Sequence, residues 1–102
     1  MSNVERTINN QTFQWDSGKA NLNRQKHNVD FEDAALVFAD ENRIERYDSE
    51  HSDDEDRYIT IGKVENILFV IYTERGEIIR LISARLATAK ERRDYYAGNE
   101  GY

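Results

Sequence analysis

The sequence predicts an α+β domain made of two N-terminal helices, a four-stranded antiparallel meander and a C-terminal helix. Three observations carry that prediction. In "FEDAALVF", Phe31, Ala34, Ala35 and Phe38 recur at i, i+3, i+4 and i+7, the spacing of one helix face. From residue 43 onward the apolar period shortens to two, as in strands. Beyond residue 87, Thr88 and Glu91 in "TAKE" match the S/T-x-x-E signature of a helix start.

Residues 1–12 are polar and lack a usable period, so they are expected to be a flexible tail or an extra edge segment. The domain itself is expected to span 13–98, with 99–102 as a C-terminal tail. Asp16 is placed to cap a short helix over about 17–26. Asn28 tolerates the left-handed conformation that closes such a helix. Asp30 then caps the second helix. "RIERY" at 43–47 is a charged candidate for an edge strand, while "RYITIG" at 57–62, "ILFVIYT" at 67–73 and "IIRLISA" at 78–84 are stronger strands. Gly76 in "ERGE" supplies the positive φ of a tight hairpin, so the last two strands are neighbours. A final helix runs from "TAKE" through Tyr95 and Tyr96 to Gly98. The helices are expected to cover one face of the sheet.

At 102 residues the chain suits one core rather than two. Its 38% hydrophobic and 33% charged residues describe a soluble globular mix. No apolar run approaches the roughly 18 residues of a membrane helix, and "MSNVERTINN" lacks the h-region of a secretory signal, so the expected location is the cytoplasm. Without cysteine there is no disulfide, thiol nucleophile or thiolate metal site, and two histidines alone do not make a zinc centre. No cofactor or metal is expected.

The net charge of −6 argues at first against a polyanionic partner. The distribution matters more. Residues 40–56 hold nine acids against Arg43 and Arg46, net −7, while residues 75–93 hold six bases against Glu77 and Glu91, net +4. The acidic run "DSEHSDDED" lacks the ligand spacing of an EF-hand and reads as a connector or a landing site for a basic partner.

Within the basic part, Arg80 interrupts an apolar strand. It either lines a cationic pocket for a phosphate or pairs with Glu74, Glu77 or an acid of the 48–56 loop. Arg57, Arg80 and Arg85 on adjacent strands repel one another and so favour an anion between them. A hairpin turn at Arg75 and Gly76 would set Arg80 opposite Ile71 and leave Arg85 on the other face. Lys26 and His27 end the first helix. They suit either proton exchange and charge stabilisation in RNA cleavage or simple compensation of the helix dipole. His51 reads as a solvated residue of the acidic loop.

The succession "FQWDSGKANLNRQKHNVDFEDAALVF", "HSDDEDRYITIG" and "VIYTERGEIIRLISARLATAKERRDYY" resembles the BrnT family of bacterial type II toxins, small ribonucleases with a RelE-like fold. The resemblance covers about residues 13–96. Its specific parts are the W-D…K…N…K-H-x-V-x-F and R-x-I-S-A-R-x-A-T-x-x-E-R blocks. Asn28 stands where the family usually has Gly. The resemblance implies a metal-independent endoribonuclease that arrests translation, neutralised by a BrnA-like ribbon-helix-helix antitoxin whose complex with the toxin represses their operon. Lys26, His27, Arg57, Arg80 and Arg85 fall in the matching blocks. They imply a proton-transferring His27, phosphate binding by Lys26 and Arg57, and charge stabilisation by Arg80 and Arg85. The competing expectation is a non-catalytic module that binds an acidic protein or operator DNA through its basic strand-helix corner.

Overall fold

The computed structural model describes residues 2–98; the expected C-terminal tail, 99–102, lies outside the described residues. The chain runs β1 (Asn3–Ile8), β2 (Gln11–Asp16), α1 (Ser17–His27), α2 (Phe31–Leu36) with a 3-10 turn at Val37–Ala39, β3 (Ile44–Tyr47), β4 (Tyr58–Val64), β5 (Asn66–Arg75), β6 (Ile78–Leu86) and α3 (Ala89–Gly98).

The class is α+β as predicted, but the four-stranded antiparallel sheet is not what forms. One six-stranded mixed sheet runs in the order β1-β2-β6-β5-β4-β3, with β2 parallel to β6 and every other pair antiparallel. The expected meander survives as β3 to β6. The extra strands come from the polar N-terminus, where Asn9 (φ 52°) and Asn10 (φ 66°) make a two-residue turn that pairs Ile8 with Gln11. Asparagine accepts the left-handed backbone such a turn requires.

The helices do not share a face. α1 and α2 cover one side of the sheet, where Phe13, Trp15, Val29, Phe31, Ala34, Val37, Leu68, Val70, Tyr72, Leu81 and Ala84 form the main core. The opposite side carries a smaller cluster of Ile61, Ile67, Ala87 and Tyr95, with Ile44, Ile59 and Phe69 packed against it, so α3 covers part of β3, β4 and the start of β5. Gly62 lets the 3-10 turn approach β4 closely, since a Cβ there would lie 2.6 Å from Val37 Cγ1.

Both expected caps of α1 form. Asp16 Oδ2 accepts from the Lys19 N–H at 2.9 Å, and Asn28 closes the helix at φ 56°. Asp30 takes the N-cap position of α2 in extended backbone, without a side-chain cap bond.

β2 pairs with β6 only at Ile79 and Arg80, so the edge of β6 beyond them lacks a strand partner. Asn23 of α1 substitutes for one. Its Nδ2 donates to Ala84 O (2.8 Å) and Val29 O (3.0 Å), and its Oδ1 accepts from Ala84 N–H (3.0 Å). Buried at 6% exposure, it locks α1 against β6 through two bonds and holds the α1–α2 connection at Val29 through the third. Asn23→Ala orphans all three backbone groups and is expected to cost about 3 kcal/mol in urea unfolding; a loss below about 0.5 kcal/mol would show that the contact does not anchor the helix.

Candidate active site

The side of the sheet that α3 leaves open carries the arginines. β4–β5 register sets Ile59 opposite Ile71, and β5–β6 register sets Thr73 opposite Arg80, Ile71 opposite Ser83 and Phe69 opposite Arg85. Ile59 and Phe69 belong to the α3-side cluster, so Arg80 and Arg85 face that way too. Arg57 immediately precedes β4, and its carbonyl accepts from Asp48 N–H at 2.9 Å, continuing the β3–β4 ladder. Alternation turns it away from Tyr58, which packs into the main core, and toward the α3 side. Arg57, Thr73, Arg80 and Gln14 therefore form one cross-sheet row, with Arg57 and Arg80 about 10 Å apart at their backbones.

The expected turn at Arg75 and Gly76 is displaced by one residue. Arg75 pairs with Ile78 across Gly76 (φ 63°) and Glu77, so Arg80 lies opposite Thr73 and not Ile71. A β-bulge then adds Ile82 to β6, because Tyr72 pairs with Leu81 while Ile71 pairs with Ser83. The extra residue restores Arg85 to the face of Arg80, although they lie five positions apart and an unbroken strand would set them on opposite faces.

The three arginines differ in their partners. Arg85 is held by Glu91 through two bonds (NH1 to Oε1 2.8 Å, NH2 to Oε2 3.0 Å), and its Cζ lies 3.9 Å from the Phe69 ring centroid. Arg80 donates from NH1 to Asn3 Oδ1 at 2.7 Å, a neutral acceptor. Among the described residues neither Arg80 nor Arg57 forms an ion pair, so the carboxylate partners considered for Arg80 are not engaged. Arg57 Nε is buried without a hydrogen-bond partner, a state costing about 1–3 kcal/mol that marks where an acceptor would fit.

Arg57 also borders a cavity of about 180 Å³ with His51, Asp53, Asp54 and Glu55 of the acidic connector. That connector is tied down locally. Ser52 Oγ donates to Asp48 O (2.6 Å) and accepts from Arg57 N–H (2.8 Å), while His51 Nδ1 lies 2.9 Å from Oδ2 of the buried Asp48. His51 is exposed, as expected for this loop, and its contact with Asp48 also ties the loop down.

Lys26 and His27 are exposed at the end of α1, with no hydrogen bond or ion pair among the described residues. They follow Asn23 by three and four positions and share its helix side, next to Ala84 and hence to the Arg85 end of β6. Arg57 and Arg80 sit toward the other end, roughly 15 Å along the strand. The structure sets Arg57 and Arg80 in one cross-sheet row, while Lys26 and His27 sit on α1, which packs against the side of the sheet opposite the arginines. It does not converge all five on one atom. Among the described residues no group of three or more His, Asp or Glu side chains is arranged to hold a metal.

Sequence reasoning passed over Asn3 and Glu91, which hold Arg80 and Arg85, and Asn23, which ties α1 to β6. Glu91 was visible only as a capping residue, a role it also fills by accepting from Thr88 N–H at 2.8 Å. Its carboxyl is held below the ordinary 4.5, chiefly by the Arg85 bonds and despite partial burial. Farther from the row, Asp40 is lowered too. Burial raises it, but bonds from Tyr95 and the Lys63 and Asn42 N–H groups outweigh that, while burial and Asp40 push the Tyr95 hydroxyl up to about 12.

Arginines gathered on one sheet face, two of them outside any ion pair among the described residues, define a small α+β protein with a cationic sheet face. More particularly, residues 15–91 match the family described as the ribonuclease toxin BrnT of type II toxin-antitoxin systems, and the chain belongs to that family. The crystal structure of the Brucella abortus ribonuclease toxin BrnT is similar at 26% identity and a TM-score of 0.53, covering 72% of this chain and 92% of that one. No curated protein sequence matches significantly.

Because Glu91 is depressed in the folded state, its stabilising pair with Arg85 is complete above the unfolded value and is lost as pH falls through the folded one. Glu91→Gln should therefore lower stability at pH 7 and flatten its decline below about pH 4.5. Urea melts across that range check this, and parallel declines for both proteins would contradict it.

Proposed function

We propose that this chain is a metal-independent endoribonuclease toxin that acts in the cytoplasm, arrests translation by cleaving RNA and is neutralised by a BrnA-like ribbon-helix-helix antitoxin. The observation that carries this reading is the set of arginines on one sheet face, two of them without carboxylate partners. Family membership supports the ribonuclease class.

The spacing along β6 suits an RNA strand laid across the face rather than one isolated phosphate. At one end His27 takes the proton of the 2′-hydroxyl, which attacks the adjacent phosphorus, and returns it to the departing 5′-oxygen. The products are a 2′,3′-cyclic phosphate and a free 5′-hydroxyl. Lys26 and Arg85 stabilise the charge that gathers on the phosphorane oxygens, Arg85 from a position already fixed by Glu91 and Phe69. At the other end Arg57 and Arg80 grip a neighbouring phosphate, where the orphaned Nε of Arg57 gains an acceptor.

This division of labour separates two kinds of kinetic damage. Purified protein should cleave end-labelled RNA in EDTA. His27→Ala should lower kcat by about 10²–10⁴-fold, whereas Arg80→Ala should chiefly raise KM, by about tenfold or more. Growth arrest on expression should weaken in both variants at equal protein level. Intact RNA together with a salt-sensitive complex with an acidic protein or operator DNA would favour the non-catalytic module instead.

A further inference from the structure

The N-terminal hairpin lies almost wholly ahead of residue 15, where the family match begins, yet it reaches the arginine row. Asn3 of β1 accepts from Arg80 NH1 at 2.7 Å, across 77 positions of chain. Gln14 of β2 is the register partner of Arg80 in the parallel pair and also lies opposite Glu5 of β1. Its Nε2 donates to Glu5 Oε1 at 2.9 Å, engaging a carboxylate of the hairpin on that face. Arg80 thus meets a neutral amide while the adjacent acid is occupied elsewhere.

We propose that Asn3 is a positioning residue for Arg80: it aims the guanidinium across the open sheet face and, being uncharged, leaves the full positive charge for a phosphate of the RNA. A carboxylate at the same place would aim the guanidinium equally well but offset part of its charge, as Glu91 does for Arg85. An aliphatic residue would leave the charge intact but the side chain unaimed. The proposal rests on the ribonuclease reading above and adds the hairpin to the substrate-binding surface.

The test compares full-length wild type, Asn3→Asp, Asn3→Ala and, as a hairpin control, Thr7→Ala. Three readouts are used: RNA cleavage kinetics, salt-dependent binding of a 2′-deoxy oligonucleotide that cannot be cleaved, and thermal unfolding. Asn3→Asp should keep or raise the melting temperature because the contact becomes an ion pair. It should nevertheless raise KM about tenfold at nearly unchanged kcat, and reduce the salt slope of binding by about 0.7, the signature of one lost single-strand phosphate contact. Asn3→Ala should raise KM by less, and Thr7→Ala should leave both parameters as in wild type.

A purely structural role for Asn3 predicts the reverse order, with Asp harmless and Ala damaging. That order, or KM values equal to wild type in both Asn3 variants of an active enzyme, overturns the proposal alone. A wild-type protein that neither cleaves RNA nor binds the oligonucleotide overturns the ribonuclease reading, and the proposal with it.

Discussion

The bulge at Ile82 is the constraint on which the site depends. A strand alternates its side chains strictly, so residues 80 and 85 of an unbroken β6 would project to opposite faces. One additional residue between Leu81 and Ser83 reverses the parity while the neighbouring β5 continues without interruption. The main core keeps Leu81 and Ala84 on one side, and the cations Arg80 and Arg85 gather on the other. The cost of an irregular ladder is local. The gain is a cationic face that a regular sheet of this sequence would divide.

Around that face the rest of the molecule acts as support. α1 and α2 bury the opposite side, which frees the arginine side from the need to supply the main core. Asn23 substitutes for a missing strand at the β6 edge and, through helix periodicity, sets Lys26 and His27 beside the same edge. α3 covers the far part of the arginine side and brings Glu91 to Arg85, while the hairpin brings Asn3 to Arg80. Each cation is thus placed by a different element, and a different degree of neutralisation accompanies each placement. The acidity that makes the chain anionic overall is concentrated before β4, in a connector tied by Asp48, Ser52 and His51.

Much of this was legible in the residues. The caps at Asp16 and Asn28, the stripe Phe31, Ala34, Ala35 and Phe38, and the meander from residue 44 to 86 follow from local chemistry and period. The N-terminal hairpin was not, because Val4 and Ile8 alternate with too few apolar neighbours to outweigh a polar composition; the Asn9–Asn10 turn was its one signal. The parallel pairing of β2 with β6 is a long-range event with no local mark. The bulge likewise leaves no trace, since "IIRLISARL" reads as a uniform strand whichever residue is extra. Sequence could name Arg57, Arg80 and Arg85 as candidates, but their common face depends on that one inserted residue.

The most direct measurement is an NMR titration of the arginine side-chain Nε–Hε signals with a short 2′-deoxy oligonucleotide. If β6 presents one continuous cationic face, the signals of Arg57, Arg80 and Arg85 shift together along one saturation curve, with the Arg57 Nε–Hε moving as its orphaned donor gains an acceptor. Shifts confined to Arg92 and Arg93 on α3, with those three unmoved at saturation, would contradict the account.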